Sequence, residues 1–189
     1  MMEELESSVV VRTMRASDID ACVSIERVCY PQSVCEEEAF FKHACRDARG
    51  CAVVIADDEV VGYIVSFPIA LHKCPMVLAQ LDKTPPTDSG VDDSEQSVYL
   101  HDAAVRPSHR GQRPDGTRVS TSLYNFVATL AESVCAKSIS LTAVFGAETF
   151  WSKKGFVPVP DSDLQPVSRA LSRSLWCRYR IFEQKLLRG

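Results

Sequence analysis

Tyr99-Leu-His-Asp-Ala-Ala-Val-Arg-Pro-Ser-His-Arg-Gly-Gln-Arg-Pro-Asp-Gly-Thr117 is the stretch on which the reading of this 189-residue chain turns. Its first part continues an apolar run and predicts a strand over 97–105. A turn-rich, basic connection follows over 107–116, and it opens the longest amphipathic pattern in the chain, 117–136. There Val119, Leu123, Val127, Leu130 and Val134 fall at spacings of four, four, three and four, one apolar stripe of a helix. A helix N-terminus exposes unpaired backbone N–H groups and about half a positive charge. With Gly111, Gly116, Arg110 and Arg113 beside it, this joint is an anion site suited to a pyrophosphate. Glycine in a strand–loop–helix joint can also serve turning alone, so at this point both readings stand.

The flanking sequence places this joint in a mixed α/β chain. Residues 9–14 alternate weakly and predict a strand; Ser17 or Asp18 then caps a helix with Ala21, Ile25 and Val28 on one face. That helix stops before Pro31, because the residue ahead of a proline avoids helical angles. A short helix is expected over 36–45. The apolar runs 51–56 and 60–67, with Asp57-Asp58-Glu59 between them, predict an antiparallel hairpin. After the central joint come a strand over 138–144, a short helix over 147–154 closed by Gly155, and strands over 156–159 and 175–183. The order β-α-α-β-β-β-α-β-α-β-β is that of one mixed α/β domain.

Composition limits the possible functions. One domain per about 150 residues gives a single domain, here 9–189 after a flexible acidic tail, 1–8. Residues 72–97, with adjacent prolines and five acidic residues, predict a long acidic surface loop. Lys and Arg number 21 against 25 Asp and Glu, a net charge of -4, and nucleic-acid binding needs a basic footprint instead. The apolar run 60–71 falls short of the roughly 18 residues of a membrane helix. The acidic start lacks a signal-peptide pattern. Among the eight cysteines there is no Cys-x-x-Cys pair and no zinc spacing, which predicts buried thiols in a reducing, cytoplasmic compartment and no metal site.

Three separated segments, "SIERVCYP" from residue 24, "YLHDAAVRPSHRGQ…GT" from residue 99 and "FWSKKGF" from residue 150, resemble the GNAT N-acetyltransferase superfamily. Within it the resemblance points to arylalkylamine (serotonin-type) N-acetyltransferases. It implies a GNAT-like fold, a mixed central sheet flanked by helices with a strand–loop–helix acetyl-CoA site, acting on a small-molecule amine as a monomer or weak dimer. Ala103, Ala104 and Val105 match the strand whose backbone pairs with the pantetheine arm. Arg110, Gly111, Gln112, Arg113, Gly116 and Thr117 match the pyrophosphate loop, and Trp151, with Phe150, matches the aromatic beside the thioester.

His101 is the candidate general base. Acyl transfer needs a neutral amine, and an imidazole with a reference pKa of about 6.5 can take its proton. Amine-acetylating relatives carry a second histidine two residues earlier; Tyr99 stands there, on the same face of the strand, where it can hold a water against His101. Glu26, Tyr30, Pro31 and Phe67 are candidates for the acceptor pocket, the aromatic faces for a ring and Glu26 for a cation.

The loop departs from the family pattern. It is one residue longer, Arg113 replaces a glycine, Pro114 lacks an N–H, and Asp115 brings a negative charge beside the intended anion. Trp151 replaces a frequent tyrosine, which leaves the general acid unassigned. Two alternatives to small-amine acetylation therefore stay open: acetylation of a protein N-terminus or lysine, and a catalytically weak CoA-binding pseudo-enzyme of the same fold.

Overall fold

A computed structural model describes residues 9–70, 96–144, 146–160, 163 and 180–186. The expected tail (1–8), the acidic loop up to residue 95, Cys74, Cys177 and residues 175–179 of the expected last strand lie outside the described residues. The elements are β1 (Val10–Thr13), α1 (Ile19–Cys29), α2 (Glu38–Ala44), β2 (Cys51–Ala56), β3 (Glu59–Ala70), β4 (Gln96–Val105), α3 (Val119–Ser133), β5 (Ser138–Ala143), α4 (Glu148–Ser152), β6 (Val157–Pro158) and β7 (Arg180–Lys185). The expected order of elements is the observed one, and the strands form a mixed seven-stranded sheet in the order β1-β2-β3-β4-β5-β7-β6. The chain groups into two compact units, Met1–Val65 with Asp102–Phe126, and Ser66–His101 with Val127–Gly189.

In the first unit β1, β2 and β3 pair antiparallel, with Val10 opposite Ile55 and Cys51 opposite Val65. β2 is buried at every position but Ile55, which explains its unbroken apolar run. Asp57 and Asp58 turn the hairpin at φ 52° and 62°, the left-handed pair that matches strand twist. Gly62 lets three elements meet: a Cβ there would lie 3.0 Å from Ala104 O and 3.3 Å from the side chains of Val105 and Val119.

Helix α1 differs from expectation in its cap and in its buried face. The Asp18 carboxylate does not cap the helix; it accepts two hydrogen bonds from the Arg12 guanidinium (2.6 and 2.8 Å) and one from Arg15 N (2.7 Å), tying β1 to the helix start. Val28, expected on the apolar face, is 58% exposed, and the buried face is Ile19, Cys22, Val23, Ile25 and Glu26. The helix does end before Pro31, with Tyr30 extended at φ -123°, ψ 152°. Phe41 of α2 packs its ring edge on Tyr63 of β3, 5.2 Å between centroids.

In the second unit β4 pairs parallel with β5, β5 antiparallel with β7, and β7 antiparallel with β6. Three buried serines satisfy one another across β4 and β5: Ser138 Oγ donates to Ser97 Oγ (3.0 Å), Ser97 Oγ donates to Ser138 O (3.1 Å), and Ser97 and Ser140 hydroxyls lie 3.3 Å apart. Three boundaries shift. α3 begins at Val119 rather than Thr117 and ends at Ser133, α4 is shorter than 147–154, and the last strand, described from Arg180, runs on to Lys185 rather than ending at 183. Cys135, at φ 53°, takes the left-handed position after α3, where Ala136 N bonds back to Ala131 O (2.8 Å).

The six described cysteines are free thiols. Cys22 and Cys51 are buried as expected, whereas Cys135 is exposed because it terminates a helix at the surface. No helix among the described residues is long and apolar enough to cross a membrane.

Candidate active site

The first unit holds the carboxyl half of β4 and the basic loop. Ala103 O accepts the Tyr30 hydroxyl at 2.9 Å. Val105 O accepts Arg110 Nε at 3.0 Å and the Cys29 thiol at 3.4 Å, while Arg110 Nη2 donates to Cys29 Sγ at 3.3 Å. The strand carbonyls expected to pair with a pantetheine arm thus already have side-chain donors from α1 and the loop. A carbonyl has two lone pairs, and Val105 O already takes two side-chain donors, whereas Ala103 O takes one.

The loop is folded on itself. Gly111 and Gly116 lie at φ 97° and 81°, conformations that side chains resist, which accounts for both glycines. Gly116 N donates to Arg113 O (3.0 Å), closing a β-turn with Pro114 and Asp115 at its corners, and Arg113 N donates to Thr117 O (2.9 Å). Thr117 N and Thr117 Oγ1 both donate to Asp115 Oδ1, at 2.8 and 2.6 Å. These bonds, with Arg113 nearby, hold the Asp115 carboxyl below its ordinary range. The backbone donors of Arg113, Gly116 and Thr117, which the sequence assigns to a pyrophosphate, therefore point into the loop. The extra residue forms this turn and delays the helix, whose first N–H acceptor is Arg118 O (2.9 Å to Thr121 N).

Behind β4 in the same unit lies a polar group that sequence reasoning reached only in part. Glu26, Tyr63 and Asp102 are 1%, 0% and 9% exposed. Tyr63 Oη lies 2.7 Å from Asp102 Oδ2 and also contacts Glu26 Oε2; Glu36 N donates to Glu26 Oε1 at 2.9 Å. Burial, then the charge of Asp102, pushes the Glu26 carboxyl up to about 7. Burial also raises the phenols of Tyr30 and Tyr63 far above the ordinary range, so both stay protonated donors. The Glu26 carboxyl is committed inside the unit rather than presented to a cation. The only signal for the other two was an acid, Asp102, in the middle of an apolar strand.

The second unit holds the candidate base. Phe67, Tyr99 and His101 form a three-ring set with centroids 5.9 Å (Phe67–Tyr99), 5.9 Å (Phe67–His101) and 6.0 Å (Tyr99–His101) apart. Tyr99 and His101 share a face of β4, as their spacing requires. The Tyr99 hydroxyl pairs with Thr142 Oγ1 at 2.7 Å. Trp151 packs edge-on against Phe150 (4.9 Å) and Phe156 (5.4 Å) in the same unit. Of the expected acceptor residues, Glu26, Tyr30 and exposed Pro31 belong to the first unit, whereas Phe67 belongs to the second, against His101.

Residues 19–156 match the family model described as the acetyltransferase (GNAT) family. Among solved structures the fold is similar to Arabidopsis thaliana Naa50 in complex with the bisubstrate analogue CoA-Ac-MVNAL (TM-score 0.62, 16% identity, 95% of this chain and 99% of that one). It is also similar to a Drosophila melanogaster polyamine N-acetyltransferase (TM-score 0.62, 13% identity, 95% and 100%). A third likeness is to N-acetylglutamate synthase from Neisseria gonorrhoeae (TM-score 0.67, 14% identity, 97% of this chain and 36% of that one). No curated protein matches the sequence.

Proposed function

Because the chain belongs to the acetyltransferase (GNAT) family and is thereby an acetyl-CoA-dependent acetyltransferase, we propose that it acetylates the primary amine of a small arylalkylamine, with His101 as the proton acceptor. The observation that carries this reading is the ring set Phe67–Tyr99–His101, which presents an imidazole among aromatic faces. An aromatic acceptor gains from such faces, and its amine must lose a proton before it can attack.

The chemistry follows from that placement. The neutral amine attacks the thioester carbonyl carbon, and its surplus proton passes to the His101 imidazole. The tetrahedral adduct collapses with cleavage of the C–S bond, and sulfur leaves as the CoA thiolate. A thiol pKa near about 8.5 makes that departure feasible without a strong acid. Tyr99 serves through His101: its ring packs on the imidazole while Thr142 holds its hydroxyl. Ala103, Ala104 and Val105 carry the pantetheine arm, and Arg110 to Arg113 line the diphosphate, which Gly116 and Thr117 reach once their hydrogen bonds inside the loop open. Phe67, beside His101, borders the acceptor. The free thiols fit a reducing compartment such as the cytoplasm.

A second reading, acetylation of a protein N-terminus, draws support from the end-to-end likeness to Naa50. Thiol release from acetyl-CoA, measured against tryptamine, serotonin, phenylethylamine, spermidine and a peptide beginning Met-Val-Asn-Ala-Leu, decides between them. Turnover with the arylalkylamines supports the first reading. Turnover with the peptide alone replaces it, and none with any acceptor points to a pseudo-enzyme.

A further inference from the structure

Three side chains of the first unit take no part in the chemistry above. Glu26 on α1, Tyr63 on β3 and Asp102 on β4 are all buried, and the Tyr63 hydroxyl meets both carboxyls. Counting protons decides what this arrangement is. A phenol has one hydroxyl proton, and an ionised carboxylate is an acceptor only. Tyr63 can therefore donate to one carboxyl, and the second contact is a hydrogen bond only when the other carboxyl is protonated and donates to the phenol oxygen. With both ionised, two buried negative charges flank one phenol, an arrangement that like-charge repulsion and desolvation both oppose.

We propose that Glu26 and Asp102 form a single proton-holding pair, bridged by Tyr63, that positions β4 against α1 for acetyl transfer. The proposal rests on the acetyl-transfer reading for its kinetic consequence. The three are positioning residues, acting through the backbone. Asp102 precedes Ala103, whose carbonyl takes the hydroxyl of Tyr30, the residue that follows α1. α1 is thus tied to β4 at two successive residues, and the first tie requires a bound proton. Loss of that proton from Glu26 to solvent leaves a dianionic pair and makes or breaks no other covalent bond.

The titratable groups around the pair do not neutralise it. Cys22, Tyr30 and Cys35 are neutral acids in its field, and Glu36 adds a negative charge that further disfavours ionised Glu26. With Glu26 raised to about 7, the tie weakens on the alkaline side of neutrality. The transfer rate then falls there, although amine deprotonation alone would raise it.

The test is a carboxyl 13C NMR titration of the full chain labelled at the glutamate side-chain carbonyl, paired with pH profiles of kcat/KM. One glutamate is expected to titrate near neutrality, to vanish in Glu26→Gln and to shift in Tyr63→Phe. In Glu26→Gln an amide N–H replaces the acid proton, so the alkaline fall in kcat/KM should disappear. Titration of Glu26 with the ordinary carboxylates, indifference of its titration to Tyr63→Phe, or an unchanged alkaline fall in Glu26→Gln would each overturn the proposal. The NMR arm reads the pair whether or not an amine is acetylated, so its failure is distinct from failure of the assigned reaction.

Discussion

Asp115 shows how one side chain sets the state of the loop proposed to take the diphosphate. Its carboxylate holds both donors of Thr117, a short turn at the helix-start position proposed for a phosphate. Asp115→Ala frees those donors and removes a like charge. Acetyl-CoA affinity measured by calorimetry should then rise about tenfold, the worth of one charge-assisted hydrogen bond; an unchanged or weaker Kd would show that the phosphates bind elsewhere. Glu26 makes a second prediction at this scale. Its folded pKa, about 7, lies above its ordinary 4.5, so the native state binds the extra proton between those values. Stability from this group is fully present below 4.5 and is lost as pH rises to about 7, at about 1.4 kcal/mol per pH unit. Denaturant melts should show Glu26→Gln gaining on the parent across that window and running parallel to it above.

At the scale of elements, local pattern and tertiary partners had different legibility. The hairpin, β4 and the stripe of α3 were readable because alternation, turn residues and a 3.6-residue period are local signals; Val119, Leu123 and Val127 are buried as that stripe requires. The buried face of α1 was not, since burying Glu26 depends on Tyr63 and Asp102, far off in sequence, while Val28 follows the period yet faces solvent. The start of α3 was misplaced for a similar reason: the turn through Pro114 and Asp115 absorbs the residues that would have begun it. Gly62 was visible only as a glycine in an apolar run, and its role needs β4 and α3 beside it. Gly62→Val should cost about 1–3 kcal/mol in chemical denaturation by overpacking; no loss would mean the three elements are less closely apposed.

At the scale of the whole molecule, the family resemblance came from three short segments in the right order, whereas the proposed proton acceptor is one residue of β4. That strand carries His101 and Tyr99 in one compact unit and Asp102 to Val105 in the other. A ligand that binds only the native chain stabilises it by mass action. Acetyl-CoA at a hundred times its Kd should add about 2.7 kcal/mol, which for a chain of this length raises Tm by about 5–10 °C. A flat melt at millimolar acetyl-CoA would favour a dead site.

The most direct measurement is kcat/KM for tryptamine with His101→Ala beside the parent, at neutral pH and saturating acetyl-CoA, with acetyl-CoA affinity followed in parallel. Loss of the base should lower the rate about a hundredfold or more while cofactor affinity stays unchanged. Equal rates in the two proteins would contradict the account and take His101 out of the reaction.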